Sequence, residues 1–299
     1  MEYEVIVIGC GPAGMSAALN FGRGMMHTLV IDEDKPRNKV TQLSHGYLTQ
    51  DGISPQKFKQ QAIEDVSKYK DVSIVNARVV DIIQIESGFK VSTASKSYTA
   101  KQILVATGVR EHLPKINNIE SFYGKTVFYC PWCDGFEMKH TQLGVFYSDK
   151  DVIHIVKLLR NFSKKITVFT NGIETLEPEA IKFLEQHHIE VCSTTIKKLL
   201  GDQGQLKGVE LEDGSVIKIE GAFTQMGWDT EFNFLNNILL ERDEQGKIKS
   251  SPYGETNING LYVTGETKDN FPSQLIDAAS NGGNVAKNMM MSLINETYQ

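Results

Sequence analysis

Tyr3-Glu4-Val5-Ile6-Val7-Ile8-Gly9-Cys10-Gly11-Pro12-Ala13-Gly14 is a short apolar run that passes straight into a glycine turn. Val5 to Ile8 suits a buried parallel strand, and Ala13 to Phe21 reads as a helix that starts inside the glycine sequence. In such a turn the first glycine permits a tight bend and the second lets the backbone approach a pyrophosphate. The third allows a helix to pack closely on the strand, while the helix start attracts phosphate. Thr28-Leu29-Val30-Ile31 then forms a second strand pattern ending at Asp32, about 20 residues on, where a carboxylate can accept hydrogen bonds from ribose hydroxyls. Strand, turn, helix, strand and acid in this order predict a dinucleotide site at Gly9, Gly11, Pro12, Ala13, Gly14 and Asp32. A purely structural turn would need only the glycines.

Two further strand-and-turn patterns follow. Gln102-Ile103-Leu104-Val105 runs into Ala106-Thr107-Gly108, and Gly260-Leu261-Tyr262-Val263-Thr264 runs into Gly265-Glu266. Pro272-Ser273 precedes a predicted helix from Gln274 to Met291, whose N-terminus would favour nearby negative charge. At 299 residues the chain has room for two domains. The net charge of -6, with dispersed Lys and Arg, offers no footprint for nucleic acid or an acidic membrane surface. No apolar run has the length to span a bilayer and no leader pattern opens the sequence, so the expected address is cytoplasmic.

The four cysteines are Cys10, Cys130, Cys133 and Cys192, too few for a disulfide framework. Cys130 and Cys133 lie in Tyr129-Cys130-Pro131-Trp132-Cys133-Asp134-Gly135-Phe136-Glu137, and a Cys-x-x-Cys pair in a reducing compartment is catalytic or metal-binding. Zinc would need two more ligands, and no second pair lies nearby, so no metal is expected. Two thiols at this spacing form a two-electron switch. Thiolate performs the exchange, and a cysteine at a helix start can fall from a pKa of about 8.5 to about 7 or lower. Pro131 is well placed to open such a helix. Beside Cys133 a carboxylate opposes thiolate formation, so Asp134 serves exchange best if desolvated and partly protonated; otherwise it is a helix-start acid. Trp132 reads equally as a substrate contact or as local packing.

These residues resemble the low-molecular-weight thioredoxin reductase family along nearly the whole chain. The shared features are Gly9 through Gly14, Ala106-Thr107-Gly108, Cys130 through Phe136, and Gly265-Glu266 with Gln274. The resemblance implies an α/β fold of two Rossmann-like, three-layer nucleotide-binding domains, the second inserted in the first. It implies FAD in the first site, with Glu266 in place of the usual Asp, Ser273 where Arg is usual, and Gln274 and Leu275 at the flavin end. It also implies that Cys133 faces the flavin, that Cys130 exchanges with substrate, that Asp134 is the general acid and base, and that the protein is a homodimer. From the motifs the FAD domain is expected at residues 1–112 and 245–299, and the inserted domain at 113–244.

One part of the family pattern is missing. Family members follow the strand after the redox motif with Gly-Gly-Gly-Asp-Ser-Ala and end the next strand in His-Arg-Arg, which holds the NADPH ribose phosphate. Here Gln142-Leu143-Gly144-Val145-Phe146 leads to Tyr147, Ser148 and Asp149, and Thr170-Asn171-Gly172 replaces the basic triplet. An aspartate about 4 Å from a pyrophosphate would cost roughly 4 kcal/mol at an effective dielectric of about 20, or roughly a thousandfold in affinity. NADPH is therefore not expected as the electron donor. Two branches resembling the family lack a working pyridine-nucleotide site: dithiol oxidases of the gliotoxin and holomycin type, which pass electrons to oxygen, and ferredoxin-dependent flavin thioredoxin reductases. Pro36-Arg37-Asn38 and Ser44-His45-Gly46-Tyr47 look like the oxidase branch, whereas Asp134 matches the reductases. Arg37 and Asn38 are candidates for FAD contact or turn capping, and His45 for cofactor contact, a base near the site or a hydrogen-bonded loop residue. The expected partner is a thioredoxin-like protein or a small dithiol or disulfide, with oxygen or ferredoxin as electron partner. The alternatives are an NADPH-dependent thioredoxin reductase with a divergent pocket and a flavin-binding sensor without turnover.

Overall fold

The computed structural model describes residues 2–147, 151–173, 176–230, 232–244, 246–269 and 271–298. They form two units: Met1–Lys39, Gly46–Glu111 and Trp228–Gln299 make the first, Val40–His45 and His112–Gly227 the second.

In the first unit, Tyr3–Ile8 pairs in parallel with Thr28–Asp32 on one side and Ser97–Val105 on the other. Among the described residues the sheet has seven strands, extended by Val72–Asn76 beyond Thr28–Asp32 and by the antiparallel Gly88–Thr93 and Val79–Ile85. The inner edge of Ser97–Val105 also receives Leu261–Val263 in parallel. Side chains alternate across a strand, so one run serves two cores. Val5 and Val7 enter one cluster with Ala17, Phe21 and Val285. Ile6 and Ile8 enter the other with Ile82, Phe89 and Ile103. The expected helices are present and longer, Pro12–Arg23 and Leu275–Thr297. They pack through small residues: a Cβ on Gly282 would stand 2.0 Å from the Ala13 carbonyl oxygen.

The second unit has a parallel sheet in the order Glu190–Cys192, Ile166–Phe169, Leu143–Phe146, Gly221–Thr224, Val127–Phe128. Val152–Leu159 and Pro178–Gln186 cover one face through Val152, Val156, Leu159 and Leu184. Ile196–Asp202 and Gln205–Leu211 cover the other through Leu199 and Val209, so this unit is layered helix, sheet, antiparallel ribbon. The structure therefore has the α/β class read from the sequence.

The return to the first unit falls at Trp228, against an expected return near residue 245. Phe232, Phe234, Leu235, Ile238 and Leu240 bury against Ile6 and Ile103, and that apolar contact outweighs the polar stretch at 243–246 as a boundary signal. No helix of the described residues is long and apolar enough to cross a membrane.

Candidate active site

The first unit holds a cavity of about 490 Å³ lined by Gly9, Gly11, Pro12 and Ala13. Gly9 has a φ of +109°, and a Cβ there would meet the Ala106 oxygen at 2.5 Å. At Gly14 a Cβ would stand 2.0 Å from the Gly9 oxygen, so this glycine serves helix-on-strand packing and stays off the lining. Beside Gly11 no described residue other than its chain neighbours comes within 4 Å of a built Cβ, so the space at this lining position is open to a ligand.

Asp32 lines the same cavity and is held from three sides. Its Oδ1 accepts the Cys10 N-H at 2.9 Å, and its Oδ2 accepts the Asp34 N-H at 3.0 Å and Lys59 Nζ at 2.5 Å. Lys59, on the helix Pro55–Val66, is a lining residue that the sequence reading missed. It belongs to no motif, and only the parallel pairing that sets this helix across Thr28–Asp32 reveals it. The Cys10 thiol is pushed up to about 12 by burial and by Asp32, which keeps it protonated and unreactive at neutral pH.

At the other end, Arg37 forks onto Glu266, with Nε to Oε2 at 3.1 Å and Nη2 to Oε1 at 2.5 Å, and reaches Glu111 at 2.5 Å. Burial opposes its charge, but the two carboxylates outweigh this and hold the guanidinium proton more firmly than usual. Glu266 also accepts the Ser273 N-H at 2.8 Å. Glu266 therefore ties Arg37 to the turn before the last helix. Ala106, Thr107, Gly108, Asn38, Ser273, Gln274 and Leu275 also line the cavity. Thr107 Oγ1 and Ser273 Oγ are buried without a hydrogen-bond partner among the described residues. Gly265 and His45 are not part of the lining.

In the second unit Cys130 and Cys133 are joined as a disulfide with Cα atoms 5.3 Å apart. Cys130 caps Pro131–Asp134, with Pro131 in the first turn as the sequence indicated. This helix is a single turn, so it offers the thiol far less dipole than a long helix would. Asp134 is pushed up to about 7, first by burial and then by Glu137, with His45 opposing. His45 Nε2 lies 3.5 Å from Glu137 Oε1. Trp132 is 69% exposed, which removes core packing as its role.

Asp134→Asn tests this environment. An acid that keeps its proton to about pH 7 only in the folded chain lowers stability as pH rises from its ordinary range through 7. The upper bound is about 4 kcal/mol at about 1.4 kcal/mol per pH unit. The variant should therefore melt higher than the parent at pH 8, with the gap closing toward pH 4. Thiol exchange at pH 7 should slow by about 10²-fold. Scanning calorimetry and exchange rates across pH read both effects.

The expected second nucleotide turn follows Leu143–Phe146, where Tyr147 is buried in the core. Ser148 and Asp149 lie outside the described residues. After Ile166–Phe169, Thr170 Oγ1 donates to the Ile173 carbonyl at 2.5 Å, and Asn171 Oδ1 accepts the Ile196 N-H at 2.8 Å. The polar groups of this turn hold the turn itself.

A dinucleotide-type cavity in one Rossmann-like unit and a Cys-x-x-Cys disulfide in the other define an oxidoreductase that handles disulfides. Residues 3–283 match the model of the pyridine nucleotide-disulphide oxidoreductases, and the chain belongs to that family, on its thioredoxin reductase-like side. A protein of Arthroderma benhamiae named as a probable thioredoxin reductase is 36% identical, across 94% of this chain and 76% of its own. The thioredoxin reductase sirT of Leptosphaeria maculans is 30% identical over 88% and 86%. The crystal structure of a protein assigned as thioredoxin reductase TrxB of Bacillus anthracis superposes with a TM-score of 0.95 at 34% identity, covering 99% of both chains.

Proposed function

We propose that this enzyme is an FAD-dependent thiol-disulfide oxidoreductase that cycles the Cys130–Cys133 pair with an electron partner other than NADPH. The observation that carries the second half is the turn after Ile166–Phe169, where Thr170, Asn171 and Gly172 offer no cation and direct their hydrogen bonds to Ile173 and Ile196. A ribose phosphate at that position would find no cation among Thr170, Asn171 and Gly172.

The first unit fits FAD. Gly9, Gly11, Pro12 and Ala13 would meet the pyrophosphate at the start of Pro12–Arg23, and Asp32 the ribose. Thr107 Oγ1 and Ser273 Oγ supply the unpartnered polar atoms, and Gln274 and Leu275 begin a 23-residue helix that opens on the cavity. Bound there, FAD would supply two-electron chemistry toward sulfur and one- or two-electron chemistry toward oxygen or an iron-sulfur protein. In this reading Cys130 exchanges with a thioredoxin-like protein or a small dithiol or disulfide, and Asp134 holds or releases the thiol proton. Oxygen or a ferredoxin is the electron partner, and the working form is a homodimer. The names of the relatives favour a second reading, an NADPH-dependent thioredoxin reductase with an altered pocket.

Anaerobic mixing of the purified flavoprotein with NADPH, a dithiol or reduced ferredoxin separates the two. Flavin absorbance should persist for minutes with about 1 mM NADPH, the upper end of the ordinary KM range. It should bleach with a dithiol or with ferredoxin and recover in air. Rapid bleaching by NADPH would establish the second reading.

A further inference from the structure

His45 sits on Val40–His45, a segment that clusters with the second unit although the chain on both sides of it belongs to the first. The Val40 carbonyl packs flat on Gly124, where a Cβ would come within 2.5 Å, and this contact anchors the segment. His45 thereby meets Glu137, a residue 92 positions later that lies in the turn after the disulfide, at 3.5 Å from Nε2 to Oε1. Glu137 is three residues past Asp134, in the turn that follows the helix Pro131–Asp134. The charged groups acting on Asp134 are Glu137 and His45, with opposite effects on its proton.

We propose that His45 and Glu137 are positioning residues for thiol exchange: as an imidazole-carboxylate pair beside Asp134, they govern how readily its carboxyl hands a proton to sulfur. The inference rests on Cys130–Cys133 being the exchanging pair. In the step concerned, a substrate thiolate attacks Cys130 Sγ, the Cys130–Cys133 bond breaks, and a mixed disulfide forms on Cys130. The electron pair leaves on Cys133 Sγ, which takes the proton of the Asp134 carboxyl. The second substrate thiolate then attacks the substrate sulfur of the mixed disulfide and releases Cys130 as thiolate, so electrons and atoms balance without a further reagent. The carboxyl must hold its proton before the step and lose it during the step. Two facing side chains that act on the Asp134 proton in opposite directions can set that balance both ways. An acid tuned by burial alone would lack this adjustment.

The test uses the oxidised holoenzyme and dithiothreitol under anaerobic conditions, with opening of the disulfide followed by quenched alkylation and mass spectrometry from pH 5.5 to 8.5. Dividing each rate by that of Asp134→Asn at the same pH removes the titration of the reagent. For the parent the ratio should fall across about pH 7. His45→Gln removes the side chain that eases the proton off Asp134, so the carboxyl keeps its proton longer and the midpoint should rise by roughly half a unit; Glu137→Gln should lower it by a similar amount. His45→Arg and Glu137→Asp should restore the parent midpoint. Opposite displacements with rescue support the inference. Midpoints that stay put, or that move the same way in both variants, overturn it, because loss of local structure has no reason to act with opposite signs. A parent protein that shows no exchange at all overturns the functional reading as well.

Discussion

Cys133→Ser should leave a folded, yellow protein whose thiol-disulfide turnover is lower by about 10³-fold or more. A hydroxyl cannot close onto Cys130, so the two-electron switch is gone while the surroundings change by one atom. Both cysteines are half-buried at the start of a one-turn helix, and neither belongs to a hydrophobic core cluster, so stability should change little. The two positions should also differ from each other. With Cys133 replaced, Cys130 keeps a thiol that captures a disulfide substrate and has no neighbour to release it, so a stable mixed disulfide should accumulate. With Cys130 replaced, capture should be slow. Intact-protein mass spectrometry after brief exposure to a linear disulfide such as oxidised glutathione, whose leaving thiol departs into solution, reads the difference; equal trapping by both variants would remove the distinction, and greater trapping by the Cys130 variant would reverse the assigned roles.

Gly14→Ala should have the largest effect on the fold. The added methyl would stand 2.0 Å from the Gly9 carbonyl oxygen, and the helix Pro12–Arg23 cannot retreat. On its other side, Gly282 already lies so close that its own Cβ would meet the Ala13 oxygen at 2.0 Å, and a Cβ on Gly265 would meet the Ala13 methyl at 2.7 Å. The helix is held between the sheet and Leu275–Thr297, and overpacking at such a point costs about 3 kcal/mol. For a chain of this size that lowers Tm by about 5 °C, with loss of bound flavin as the turn distorts. Gly11→Ala supplies the contrast. No described residue other than its chain neighbours comes within 4 Å of its built Cβ, so the apoprotein should melt near the parent temperature while flavin content falls, because the methyl occupies space that a phosphate would use. Thermal melts of the apoproteins and the ratio of flavin to protein absorbance separate the two effects. If both variants lose flavin and stability alike, the distinction between packing glycine and binding glycine is wrong.

The contrast between these glycines shows why part of the site was legible beforehand. Val5 to Ile8, the turn and the following helix are contiguous, and each signal in them concerns a residue and its neighbours within one turn or one strand. The same holds for Cys130, Pro131, Cys133 and Asp134. Other features depended on partners far away in the chain. Lys59 reaches Asp32 across 27 residues, Arg37 reaches Glu266 across 229, and neither pairing has a local pattern. Glu266 stood out as a flavin contact at the end of a strand; it lines the cavity, and its carboxylate also holds Arg37 and the Ser273 N-H, which no local pattern foretold. His45 stood out as a cofactor candidate in a loop, yet it lies beside Glu137 in the thiol-bearing unit.

Taken alone, the order of residues determined the α/β class, the dinucleotide turn, the redox pair and the missing basic triplet, because covalent spacing along strand and helix already fixes which atoms face one another. The tertiary structure decided the domain return at Trp228, the clamp on Glu266, the partner of Asp32 and the proton affinity of Asp134. Each of these depends on burial or on charge brought from a distant segment. Desolvation and Coulomb energy follow distance in space, which separation along the chain does not specify.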